Sequence, residues 1–144
     1  MPNRSLFSAL AVITLFWGVV HIALGGCFMS GGASLVSIPP DGAVGGFAPI
    51  LGLVGGLMTV LGVAFLVQGL LAIAAALGIL WRRGWGTALT VVLAVLSILW
   101  GLFSLAAYEA GAAYVAFGAG DLLYGIFAVV ILVASRQNRV FGSR

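Results

Sequence analysis

Tyr114 to Ser135 reads YVAFGAGDLLYGIFAVVILVAS. Its one charged side chain is Asp121; everything else is apolar, aromatic or small. A membrane span takes about 20 mostly apolar residues, so this stretch is long enough to cross a bilayer. A carboxylate inside such a run costs about 2.5–3.5 kcal/mol on insertion scales unless it finds a partner or a proton. Asp121 is therefore the position that apolar filling does not explain.

Working outward, three more apolar runs precede this one. They fall at residues 6–26, 57–81 and 86–108, and the last occupies 112–135. The chain of 144 residues is 63% hydrophobic and 6% charged, with a mean hydropathy of +1.28. Soluble domains carry about 25% charged residues, so polar surface is too scarce here to cover a water-soluble core. The sequence predicts an all-α integral membrane protein: four transmembrane helices in a small bundle, one membrane domain over 1–144.

All six basic residues are arginines that flank the runs: Arg4, Arg82, Arg83, Arg136, Arg139 and Arg144. The high pI, about 9.8, therefore does not describe a basic face that could track a phosphate backbone, and no nucleic acid is expected. Arginines at span ends collect on the cytoplasmic side. Four spans place all six there, with both termini cytoplasmic in the cell's inner (plasma) membrane and Asp41 and Glu109 near the outer face. Arg4, an apolar run and Leu24-Gly25-Gly26-Cys27 together resemble a lipoprotein signal. Signal h-regions run about 7–15 residues; this run is longer and contains His21, so an uncleaved first span is expected.

Residues 28–46 read as a Gly/Ser-rich outer loop, bent at Pro39-Pro40-Asp41. Pro49 to Trp81 is too long for a simple span: about 50 Å as one helix, at about 1.5 Å per residue, against a hydrocarbon core of about 30 Å. Gly52, Gly55, Gly56 and Gly62 are weak points within it. Pro49 is suited to a first helical turn and is expected to open a short interfacial or re-entrant helix, with the span starting near Leu57. A single long tilted helix is the alternative. Trp81-Arg82-Arg83-Gly84-Trp85 reads as a tight turn with its indoles at headgroup level.

Lipid is as apolar as leucine, so membrane helices associate through small residues and interhelical hydrogen bonds. Such residues recur at helical spacing. Span 1 offers Ala11, Thr14, Gly18, His21 and Gly25. Span 3 offers Thr87, Thr90, Ala94, Ser97, Gly101, Ser104 and Tyr108. Span 4 offers Gly111, Tyr114, Gly118, Asp121, Gly125, Ala128, Leu132 and Ser135, and span 2 a broader face at Gln68, Gly69, Ala72, Ala75 and Ala76. Gly18, Gly25, Gly101, Gly118 and Gly125 are the expected packing glycines. A faint echo links Trp17–His21 with Trp100–Ser104, and Gly69-Leu70-Leu71 with Asp121-Leu122-Leu123, as in a duplicated two-helix hairpin.

The intramembrane polar residues are His21, Asp121 and Gln68, with Glu109 at the outer end of span 3. His21 lies about 9 Å deep and Asp121 about 13 Å, by the helical rise. They either form a pair that fixes packing, act as a proton relay, or do not touch, in which case Asp121 is protonated or meets Gln68, Ser97, Ser104 or another subunit. His21, with Gly18 and Gly25 at i−3 and i+4, also suits an axial ligand to haem or (bacterio)chlorophyll. One cysteine and one histidine leave no intramolecular disulfide and no tetrahedral Cys/His zinc site. No catalytic fingerprint has its required frame, and enzyme activity is not expected. Three functions stay open: an accessory subunit of a larger membrane complex or a homo-oligomer; a haem- or chlorin-binding subunit on His21; and a small proton, ion or solute translocator built on Asp121 with a glycine-broken start to span 2.

Overall fold

The computed structural model describes residues 4–39, 45–106 and 111–141. They form four helices: α1 (Arg4–Val36), α2 (Ala48–Leu80), α3 (Gly84–Ala106) and α4 (Ala112–Phe141), with a 3₁₀ turn at Gly45–Phe47. Among the described residues there is no strand. All four helices are long and apolar enough to cross a membrane. Their exposed faces carry large apolar side chains such as Phe16, Leu53, Val60, Leu99 and Leu123, which suit contact with lipid. The chain is a multi-pass membrane protein.

Two elements differ from the sequence expectation. Phe28 to Val36, read as the start of a loop, continues α1 as helix for 33 residues in all. Its serines do not break it, because each hydroxyl donates to a carbonyl of its own turn: Ser30 to Cys27 O and Ser34 to Ser30 O. Pro49 does not open a separate helix. Ala48–Leu80 is one uninterrupted helix of 33 residues, and the glycines expected to break it sit inside it. Gly55 and Gly62 are instead the points where α1 comes closest.

The chain divides into two compact units, residues 18–70 and residues 1–17 with 71–144. In the first, α1 and α2 run antiparallel with their backbones in contact. A methyl group on Gly69 would lie 2.6 Å from Gly18 O, one on Gly25 2.7 Å from Gly62 O, and one on Gly55 2.6 Å from Gly32 O. Two helical turns along α1 are matched by two turns back along α2, so glycine meets glycine three times. Only small residues permit this approach, and without a hydrophobic drive between helices the contact rests on close packing.

In the second unit α3 and α4 repeat the device. A methyl on Gly101 would lie 2.6 Å from Gly118 O, and one on Gly125 2.7 Å from Ala94 O. The start of α1 joins them: Leu10 and Ala11 share a buried cluster with Ile79, Ala94, Ala128, Ile131 and Leu132. The turn from α2 to α3 is a Schellman cap. Arg83 N–H donates to Gly78 O at 2.8 Å and Arg82 N–H to Ile79 O at 3.0 Å. Arg82 takes the left-handed position there, with φ 55°.

The two hairpins carry one pattern. The buried residues Leu10, Ala11, Thr14, Gly18 and His21 of α1 recur in order and spacing on α3 as Leu93, Ala94, Ser97, Gly101 and Ser104. Gly69, Ala72, Ala75, Ala76 and Ile79 of α2 recur on α4 as Gly118, Asp121, Tyr124, Gly125 and Ala128. The contact of Gly18 with Gly69 thus corresponds to that of Gly101 with Gly118. This corrects half of the sequence echo. Trp17–His21 does match Trp100–Ser104, but Gly69 matches Gly118, and Asp121 stands where the first hairpin has Ala72.

Candidate functional site

The polar cluster of the membrane domain forms where α1 meets α4. On α4, Phe117, Asp121 and Tyr124 follow at i, i+4 and i+7 and share one face. On α1, Thr14 and Trp17 are one turn apart. The Trp17 indole stacks between two rings of α4: Phe117 at 6.1 Å and 12°, and Tyr124 at 5.9 Å and 17°. Its Nε1–H donates to Asp121 Oδ1 at 3.0 Å. Gly120 clears the space for the indole, since a methyl there would lie 2.7 Å from Trp17 Cη2. One turn further, the Tyr124 hydroxyl and Thr14 Oγ1 are 3.3 Å apart and hydrogen-bonded. Asp121 is 0% exposed.

The arrangement is a clamp. A carboxyl group is costly in hydrocarbon, and an indole N–H is a donor that needs an acceptor when buried. Each meets the other's requirement, and Oδ1 accepts the bond whether Asp121 is ionised or protonated. The flanking rings fix the indole plane, which fixes the direction of the bond. Sequence reasoning did not single out Trp17 as a partner of Asp121. The available signal was its position, because tryptophan favours the membrane–water interface and Trp17 lies mid-span.

His21 lies on α1 in the unit formed by residues 18–70. It is 1% exposed and meets the Phe65 ring edge to face at 5.7 Å, and Phe65 in turn packs on Phe28 at 5.6 Å. Gly18 and Gly25, which flank His21 and in the sequence leave room for a flat macrocycle, are the glycines against which the α2 backbone rests. A porphyrin or chlorin plane has no room beside this imidazole, so the residues present do not fit haem or chlorophyll. Among the described residues no three His, Cys, Asp or Glu side chains gather as a metal-binding group.

The other candidates are placed as follows. Gln68 is half-buried on α2. Glu109 lies outside the described residues, as do Tyr108 and Asp41. Cys27 is exposed on α1. Gly18, Gly25, Gly101, Gly118 and Gly125 are all buried. The glycine-broken start of span 2, which a translocation pathway would use as a half-helix, is continuous helix. Comparison with protein-family models, curated proteins and solved structures found no match.

Proposed function

We propose that this protein is a small non-catalytic membrane subunit that works by association, either within a larger membrane complex or with copies of itself. The observation that supports this most is the Trp17–Asp121 contact. The carboxyl group at membrane depth is wholly buried and engaged by an indole across two helices, an arrangement suited to joining helices rather than to passing protons or solutes. Thr14 and Tyr124 serve in the same way.

The outer surface fits the same role. Ala23, Gly26, Cys27, Ser30 and Ala33 of α1 are exposed, and a methyl on Gly26 would touch nothing within 4 Å. Small residues of this kind let a neighbouring helix approach closely. The arginine distribution supports an inner-membrane location with both termini cytoplasmic.

The test is the native mass and composition of the particle extracted from its own membrane in mild detergent. The expected result is a particle holding other polypeptides, or several copies of the 14.7 kDa chain. A lone monomer would overturn the proposal, and Asp121-dependent proton or solute flux in liposomes would replace it with translocation.

A further inference from the structure

The unit of residues 1–17 and 71–144 contains every basic residue of the chain. Arg4 opens α1, Arg82 and Arg83 join α2 to α3, and Arg136 and Arg139 lie on the part of α4 beyond its apolar window, which ends at Ser135. The packing brings these helix ends to one level. Leu10 and Ala11 of α1 share a cluster with Ile131 and Leu132 of α4. Antiparallel contacts from Gly101–Gly118 to Ala94–Gly125 carry the start of α3 toward the end of α4. Among the described residues no acidic side chain balances them: Asp121, the acid described, is buried mid-helix.

Two further observations concern the α2–α3 turn. Arg82 occupies the left-handed position of the Schellman cap, where glycine is the least strained choice. The chain uses glycine freely, 22 times, so conformation alone does not select arginine at this position. Trp81 and Trp85, 65% and 48% exposed, bracket the arginine pair and suit the headgroup level. A guanidinium presents a planar fork that matches two phosphate oxygens at once.

We propose that this end of the unit, centred on Arg82 and Arg83, binds the phosphodiester headgroups of anionic glycerophospholipids. Surface attraction contributes about a fivefold gain in affinity for each basic residue at the membrane face. The proposal stands apart from the accessory-subunit reading and holds for a monomer as well as for an assembly.

The full chain is reconstituted in phosphatidylcholine nanodiscs holding a minor fraction of phosphatidylglycerol, and the lipid retained on the protein is counted by native mass spectrometry. Discs have no sidedness, so altered membrane orientation does not confound the result. The expected result is phosphatidylglycerol enriched several-fold over its share of the disc, with the enrichment collapsing as salt is raised. Arg82→Gln with Arg83→Gln lowers the apparent affinity by about 25-fold if both guanidinia engage, with helicity unchanged by circular dichroism. Retention of phosphatidylglycerol at its bulk share by the wild-type protein overturns the proposal without recourse to any variant. Undiminished enrichment in a helical double variant does so too. Displacement of the lipid by inorganic phosphate at low millimolar concentration reassigns the site to a soluble anion and also overturns it.

Discussion

Adjacent glycines on α1 give the sharpest test of the packing. Gly25 faces α2, and a methyl there would lie 2.7 Å from Gly62 O, 2.8 Å from Leu66 Cγ and 2.9 Å from Leu66 N. Two of these three atoms are backbone, so no side chain can rotate away to relieve them all. Restoring ordinary contact needs the helices to part by roughly 0.7 Å, and a gap of that size forfeits a quarter to a half of each neighbouring dispersion contact. Overpacking of this kind costs about 1–3 kcal/mol. Gly26, the next residue, has nothing within 4 Å of the same added methyl. There alanine gains about 0.8–1 kcal/mol over glycine from helix propensity. One chemical change at neighbouring positions should therefore differ in sign. Gly25→Ala lowers stability and Gly26→Ala raises it; the propensity gain is common to both, so the gap between them is the overpacking cost, about 1–3 kcal/mol. The assay is unfolding of the purified protein in mild detergent by titration with SDS, followed by circular dichroism. Equal responses from the two variants would refute the glycine pairing. Gly55→Ala and Gly56→Ala on α2 repeat the comparison, since a methyl on Gly55 would lie 2.6 Å from Gly32 O and one on Gly56 would meet nothing within 4 Å.

Other substitutions probe the remaining contacts in the same unfolding assay. Asp121→Asn keeps an oxygen acceptor for Trp17 and costs under about 1 kcal/mol, whereas Asp121→Leu leaves the indole N–H buried without its acceptor and costs about 1–3 kcal/mol. Equal losses from the two would show that the bond to Trp17 contributes little. Thr14→Val and Tyr124→Phe each cost about 0.6 kcal/mol, the mean for interhelical hydrogen bonds. Their double variant costs no more than either alone, and strictly additive losses would contradict a shared bond. Arg82→Gly relieves the left-handed backbone and raises stability by about 0.5–1 kcal/mol, while Arg82→Val lowers it. A Val variant as stable as the Gly variant would contradict the φ assigned to this residue.

Four membrane helices were legible from the apolar runs, because length and hydropathy are enough for a span. The end of α1 and the start of α2 were not. Glycine and serine mark loops in soluble proteins, and by that rule Phe28–Val36 is a loop and Gly52–Gly62 a break. In α1 and α2 those residues do other work: Gly32 and Gly55 let two backbones touch, and the serines bond within their own helix. Tertiary packing overrides intrinsic propensity here. Asp121 was legible as a buried polar residue that needed a partner. The indole of Trp17 was not legible as a donor to it, because tryptophan reads first as an apolar or interfacial residue. The glycines beside His21 show the opposite error. They read as room for a ligand, but α2 fills that room.

Trp17 holds Asp121 through its indole N–H, and indole ¹⁵N–¹H spectra of the protein in detergent test that contact most directly. The four tryptophans give separable signals, assigned by single Trp→Phe variants. Asp121→Ala should displace the Trp17 resonance and leave Trp81 and Trp85 where they are. A Trp17 signal unmoved by Asp121→Ala would contradict the clamp, and with it the view that the buried polar residues of this protein join its helices.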